Sequence, residues 1–147
     1  MRSSISVFFI IIFLASSSLA AADDSLITYF DGDVIIRRNG NSFEADFGLP
    51  VFQGDILETG RDSLLIIQLN SRGALKLKEN TILILETAGK DTSIILSRGS
   101  VFSKVTRLVN GSFSVRTLSM VAGVRGTEFF VAYGRTVETE PDIWLCV

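Results

Sequence analysis

The residues of this chain that could do chemistry are carboxylates with no base to partner them. No histidine occurs among the 147 residues, which removes the commonest general base and the commonest transition-metal ligand. A Ser–His or Cys–His nucleophile pair is therefore impossible. Acidic groupings remain at Asp23/Asp24, Asp31/Asp33 and Glu138/Glu140/Asp142. Each lies in a predicted turn or terminal stretch, where acids are ordinarily solvated. Asp31-Gly32-Asp33 has the look of an opening calcium loop, but the other ligands of such a loop do not follow. No phosphate-binding or dinucleotide motif occurs, and Asn110-Gly111-Ser112 reads as a turn rather than a glycosylation acceptor. Arg125 stands apart, in Gly123-Val124-Arg125-Gly126-Thr127. Its planar fork of donors suits a carboxylate or backbone carbonyls. Flanking glycines favour a structural role, with Arg125 folded back on carbonyls or on an acid such as Asp55, over an anion or partner contact. The expectation is a non-enzymatic chain without cofactor or metal.

Around these residues the sequence is punctuated for strands. Apolar residues come in short runs bounded by Gly, Asn, Asp and Ser, and no long stretch keeps a helical period. The runs predict strands over Leu26–Phe30, Asp33–Arg38, Asp55–Glu58, Ser63–Leu69, Ala74–Lys78 and Ile82–Glu86. Others follow over Ser93–Ser97, Val101–Val105, Ser112–Thr117, Glu128–Tyr133 and Ile143–Val147. Asn39-Gly40 predicts a type I′ hairpin turn, whose central positions both want positive φ. Val121–Gly126 reads as irregular or a brief turn.

Segments 31–37, 72–78, 98–104 and 110–116 share one pattern, a glycine followed by alternating apolar residues and a closing basic one. A period of two sends Val34/Ile36, Leu75/Leu77 and Phe113/Val115 to one face and the basic residue to the other. Ser103 breaks that rule in the third copy. The copies are unequally spaced, which excludes a regular solenoid. Arg37, Lys76, Lys78, Lys104 and Arg116 are expected as outward, solvated residues rather than an aligned basic stripe. The fold class expected is all-β: a single domain of short antiparallel hairpins in an irregular sandwich or solenoid-like stack.

Residues 1–22 read as a signal peptide. Arg2 precedes the apolar run Val7–Leu14, and small residues with a Ser18-Leu19-Ala20 site follow. The run breaks at Ser16-Ser17-Ser18, short of the about 20 apolar residues that a spanning helix needs. No Cys lies near the cleavage region to carry a lipid. The domain is expected over 26–147, periplasmic or extracellular, with no stable membrane span. Without Arg2 the 14 basic residues fall to 13 against 16 acidic ones, and such a mildly acidic domain is a poor ligand for nucleic acid. Cys146 is the only cysteine, so packing, and no intrachain disulfide, must hold the domain together. It is expected buried in the last strand rather than bridged to another molecule.

Several stretches resemble the FecR family. Gly32-Asp33-Val34 with Arg37 and Gly40 is similar to its first hairpin. Gly54-Asp55-Ile56-Leu57-Glu58-Thr59-Gly60 resembles its G-D-x-[IL]-x-T-G element, and Arg72–Leu77 with Asn80-Thr81 its next strands. Leu96–Val101, around Gly99, and Phe113–Thr117 leading into Ala122-Gly123-Val124-Arg125-Gly126-Thr127-Glu128-Phe129 complete the set. The resemblance implies an envelope sensor domain whose signature residues Gly54, Asp55, Thr59, Gly60, Gly99, Gly123, Arg125, Gly126, Thr127 and Phe129 fix the backbone more than they bind ligands. Unlike FecR-type regulators, the chain shows no cytoplasmic sigma-factor segment or spanning helix before the domain, and the pattern breaks off where a further strand is expected.

The function expected is an exported binding or sensing module working through contacts with an envelope protein. A cell-wall or glycan-binding role, tested first at Phe47, Phe52 or Trp144, is the alternative, and a truncated remnant of a longer protein is another.

Overall fold

The computed structural model describes residues 25–70, 72–106, 110–124, 126, 128–137 and 140–146, with backbone alone from 135 onward. The expected signal peptide lies outside them. The described residues form strands and turns without helix: β1 (Ser25–Asp31), β2 (Val34–Arg38), β3 (Asn41–Glu44), β4 (Pro50–Val51), β5 (Ile56–Thr59), β6 (Leu64–Leu69) and β7 (Gly73–Leu77). Then come β8 (Ile82–Thr87), β9 (Asp91–Val105), β10 (Ser112–Arg116), β11 (Val121–Val124), β12 (Glu128–Val137) and β13 (Glu140–Cys146). No helix among the described residues is long and apolar enough to cross a membrane. The all-β expectation holds.

The strands form one curled sheet with two leaves. The first leaf runs β4-β1-β6-β7-β9-β12-β13, and the second β3-β2-β5-β8-β9-β10-β11. β9 belongs to both. Its Asp91–Arg98 half pairs antiparallel with β8 and parallel with β10, and its second half pairs antiparallel with β7 and β12. Between the halves it bends at Gly99, whose φ is +94°. A side chain there would be strained, and its Cβ would run into the backbone and side chain of Thr81. Two expected strands, Ser93–Ser97 and Val101–Val105, are thus one bent strand.

Alternation decides what the leaves enclose. Val34, Ile36, Leu75, Leu77, Phe113 and Val115 are all buried, as the period of two requires. They join Ile27, Leu57, Leu65, Ile67, Leu83, Leu85, Ile94, Leu96, Val101 and Val131 in one core fed by both leaves. Phe113 of the second leaf meets Phe129 of the first edge to face, with ring centroids 5.9 Å apart, a pairing that contributes about 1 kcal/mol beyond its burial. Ser103 lies in the same buried layer, and its hydroxyl has no partner among the described residues.

One end of the stack is closed by chain. After β3, Ala45–Leu49 passes from the second leaf to the first. Ala45 N–H donates to Val34 O, Ile27 N–H to Leu49 O, and Gly48 N–H to Ile27 O, at 3.0, 3.0 and 2.8 Å. Ala45 is buried and Leu49 packs against the core. Asn39 and Gly40 have φ of 51° and 80°, the signs a type I′ turn demands, and β3 follows them. β3, β4 and β11 were not expected. Val121–Val124 pairs with β10 in full antiparallel register, because Ala122 and Val124 take the inward parity opposite Val115 and Phe113.

Candidate functional site

Five of the signature residues, Gly54, Asp55, Thr59, Gly60 and Gly99, lie along the two margins at which the chain crosses from leaf to leaf. Along one margin lie the bends 32–33, 60–63 and 78–81 and the bend at Gly99, held together by hydroxyls. Thr59 and Thr81 are buried. Thr59 Oγ1 donates to Lys78 O at 2.6 Å and accepts from Thr81 N–H at 3.0 Å. Thr81 Oγ1 accepts from Ser100 N–H at 3.0 Å. Gly60 N–H reaches Asp33 O at 2.8 Å, and Asn80 N–H reaches Gly60 O at 2.9 Å. Ser63 Oγ accepts from Asp33 N–H at 2.9 Å. Thr59 and Gly60 therefore fix bends by satisfying backbone groups that burial would otherwise leave unpaired, and Gly99 fixes its bend by its positive φ and the close approach of Thr81.

The opposite margin carries the only buried ion pair among the described residues. Asp55 is 1% exposed and Arg38 is 24% exposed. Arg38 Nε donates to Asp55 Oδ1 at 2.8 Å and its Nη2 to Oδ2 at 2.7 Å, a bidentate fork. Nη2 also donates to Pro50 O at 2.7 Å, and Phe52 N–H donates to Asp55 Oδ2 at 2.8 Å. The guanidinium lies over Phe43 and Phe52, 5.3 and 4.4 Å from their centroids. The hydrogen bond to Asp55 first, then its charge, holds Arg38 above its ordinary value against the opposing effect of burial. Gly54, with φ +89°, turns the chain into this clasp, and its N–H donates to Leu85 O at 2.7 Å.

Asp55, the acid named as an example for Arg125, is held by Arg38; Arg125 and Thr127 lie outside the described residues. Arg38 was the residue missed. Parity carried the signal: Val34 and Ile36 point inward, so Arg38 must as well, and an inward arginine requires an acid.

The basic residues face outward but do not make one stripe. Arg37 and Arg116 stand on the second leaf, bound to Glu58 and Glu86 at 2.7 and 2.8 Å. Lys76, Lys78 and Lys104 stand on the first, where Lys104 binds Glu128 at 2.8 Å. The hydroxyl of Ser93, and after it Arg116, hold Glu86 below the usual carboxylate range. The Glu128 hydrogen bond holds Lys104 above its usual value. Asp31 and Asp33 are exposed, and among the described residues no three His, Cys, Asp or Glu converge as metal ligands. Phe47 is exposed and Phe52 covers Arg38. The side chains of Trp144 and Cys146 lie outside the described residues, although β13 holds their backbone.

At the far end of the stack the surface is apolar. β11 pairs only with β10 among the described residues. Leu118 and Val121 at the tip of this hairpin are 90% and 70% exposed. A groove of about 420 Å³ beside them is lined by Ile95, Ser97, Arg116 and Thr117. Gly123 on β11 has open space where a Cβ would stand, and Gly126 lines a recess with Lys104 and Glu128.

Residues 55–140, more than half of the chain, match the family described as FecR protein. The chain belongs to the FecR family. Membership carries an envelope-associated sensing or regulatory role. The FecR match takes in Asp55, Thr59, Gly60, Gly99, Gly123, Arg125, Gly126, Thr127 and Phe129, but it begins one residue after Gly54 and well after Arg38. In this FecR domain the clasp therefore joins a matched acid to an arginine before the matched range. No curated protein and no solved structure matches the chain.

Proposed function

We propose that this FecR domain is an exported, non-catalytic sensing module of the bacterial envelope that acts through protein contacts, accepting an extended segment of its partner along β11. The observation that carries this reading is an edge left without a partner strand among the described residues. β11 is Val-Ala-Gly-Val, without charge or proline; its first residue Val121 is exposed, as is Leu118 just before it. A free edge is a template for strand addition, in which main-chain hydrogen bonds give affinity and neighbouring side-chain grooves give specificity. Export rests on the charged, apolar and small-residue regions of 1–22.

A photo-reactive residue at Ala122 in cells tests the contact, with the same residue at Ser42 on β3 as control. Adducts from 122 that vanish in Val121→Lys are expected. Equal adducts from both edges, or none from 122, would remove the reading. Fusing residues 1–22 to a reporter active only outside the cytoplasm tests export separately.

A further inference from the structure

The outer face of the first leaf carries a row of residues that neither the core nor the β11 edge uses. Register places Tyr29 opposite Ile66, Ile66 opposite Lys76, Lys76 opposite Phe102 and Phe102 opposite Phe130. The row crosses five adjacent strands, a length of about 19 Å at the ordinary strand spacing. Tyr29 is 49% exposed, and Phe102 and Phe130 are half-buried. Lys78, two residues along from Lys76, holds its Nζ 5.7 Å from the Phe130 centroid.

Charge separates this face from its counterpart. On the second leaf the outward arginines Arg37 and Arg116 are bound by glutamates, while Arg98, at the bend of β9, donates to Asn80 O and makes no ion pair among the described residues. On the first, Lys76 and Lys78 make no ion pair among the described residues, and only Lys104 is neutralised, by Glu128. Asp31 lies at the end of β1 opposite Leu64, two strands away from Lys78. A chain of net charge −2 thus keeps two lysines, without ion pairs among the described residues, beside rings on one face.

We infer that the outer face of the first leaf binds an acidic polysaccharide, with sugar rings stacked on Tyr29, Phe102 and Phe130 and carboxylates held by Lys76 and Lys78. Phe102 and Phe130 stand on neighbouring strands, about 4.8 Å apart, and Tyr29 stands three strands from Phe102, about 14 Å, spacings comparable with one and three sugar rings along an extended glycan. Lysine supplies mobile donors that can follow carboxylates spaced along such a chain. A lipid surface fits less well, because half-buried rings cannot reach into the acyl region as interfacial anchors do. Nucleic acid would need a far larger cationic surface.

Electrophoresis of the purified full-length chain through gels holding polygalacturonate or neutral dextran tests the inference. Pelleting with peptidoglycan sacculi and with phosphatidylglycerol vesicles completes it. Retardation by polygalacturonate but not dextran is expected, fading as salt rises. Lys76→Glu, an exposed change whose fold circular dichroism would verify, should weaken binding about tenfold, and Arg37→Gln on the other leaf should leave it unchanged. Pelleting with sacculi that polygalacturonate competes away and Lys76→Glu abolishes would support the inference and name the wall as the source. Equal retardation by dextran, no binding to either glycan or sacculi, undiminished binding by Lys76→Glu, or vesicle binding without glycan binding would each overturn it.

Discussion

The two ends of the stack are finished in opposite ways. At the β3–β4 end the chain closes over its own core. Ala45–Leu49 crosses between the leaves, β4 is two residues long and begins with Pro50, and Arg38 grips Asp55 between two phenylalanine rings. At the β11 end an uncharged strand is paired on one side only among the described residues, with Leu118 and Val121 in solvent. Short edges, proline and charge are the devices by which sheets discourage unwanted pairing. One end has them and, among the described residues, the other does not, which is the contrast on which the proposed strand addition rests.

That contrast can be broken most severely at the clasp. Asp55→Ala leaves Arg38 without its carboxylate and strips the acceptor from Phe52 N–H. Removal of one member of a buried pair costs about 3–5 kcal/mol; the partial exposure of Arg38 places the expected loss toward the lower figure, read from urea unfolding. A change within 0.5 kcal/mol would show that the clasp does not hold the closed end. Gly48→Ala forces a Cβ into the turn of the lid at φ +76° and should lose about 1 kcal/mol through backbone strain alone, since nothing lies near the new methyl. At the open end Leu118→Ser should alter stability by less than about 0.5 kcal/mol while reducing capture of the partner segment. In hydrogen exchange, β11 amides should be replaced well before those of β2 and β5, and the reverse order would invert the comparison.

The smallest expected effect concerns pH. Glu86 is held low in the folded protein, so its contribution is present above the unfolded carboxylate value and is lost as pH falls through the folded one. Glu86→Gln should therefore flatten the acid side of the stability profile. An unchanged profile would mean that the Ser93 and Arg116 contacts do not survive in solution.

Much of the framework was legible because it is local. Alternation placed Val34/Ile36 and Phe113/Val115 inward, and Asn39-Gly40 announced its own turn. What escaped is set by partners distant in sequence. β3 is Asn-Ser-Phe-Glu, with Phe43 as its only apolar residue, and becomes a strand because β2 offers it an edge. Val121–Val124 has too few large residues to declare itself and is ordered by register with β10. The crossing of Ala45–Leu49 leaves no periodic trace, since its role is to span a gap. Of the signature, the bends at Thr59, Gly60 and Gly99 could be anticipated from glycine alone, whereas the union of Arg38 with Asp55 had to be read from parity.

β9 has one more consequence. Its hydrogen bonding continues through both leaves, around the bend at Gly99, with neighbours on each side of each half. A tug on either end of this strand loads four ladders in shear at once, and neither leaf can peel away while the other stays intact.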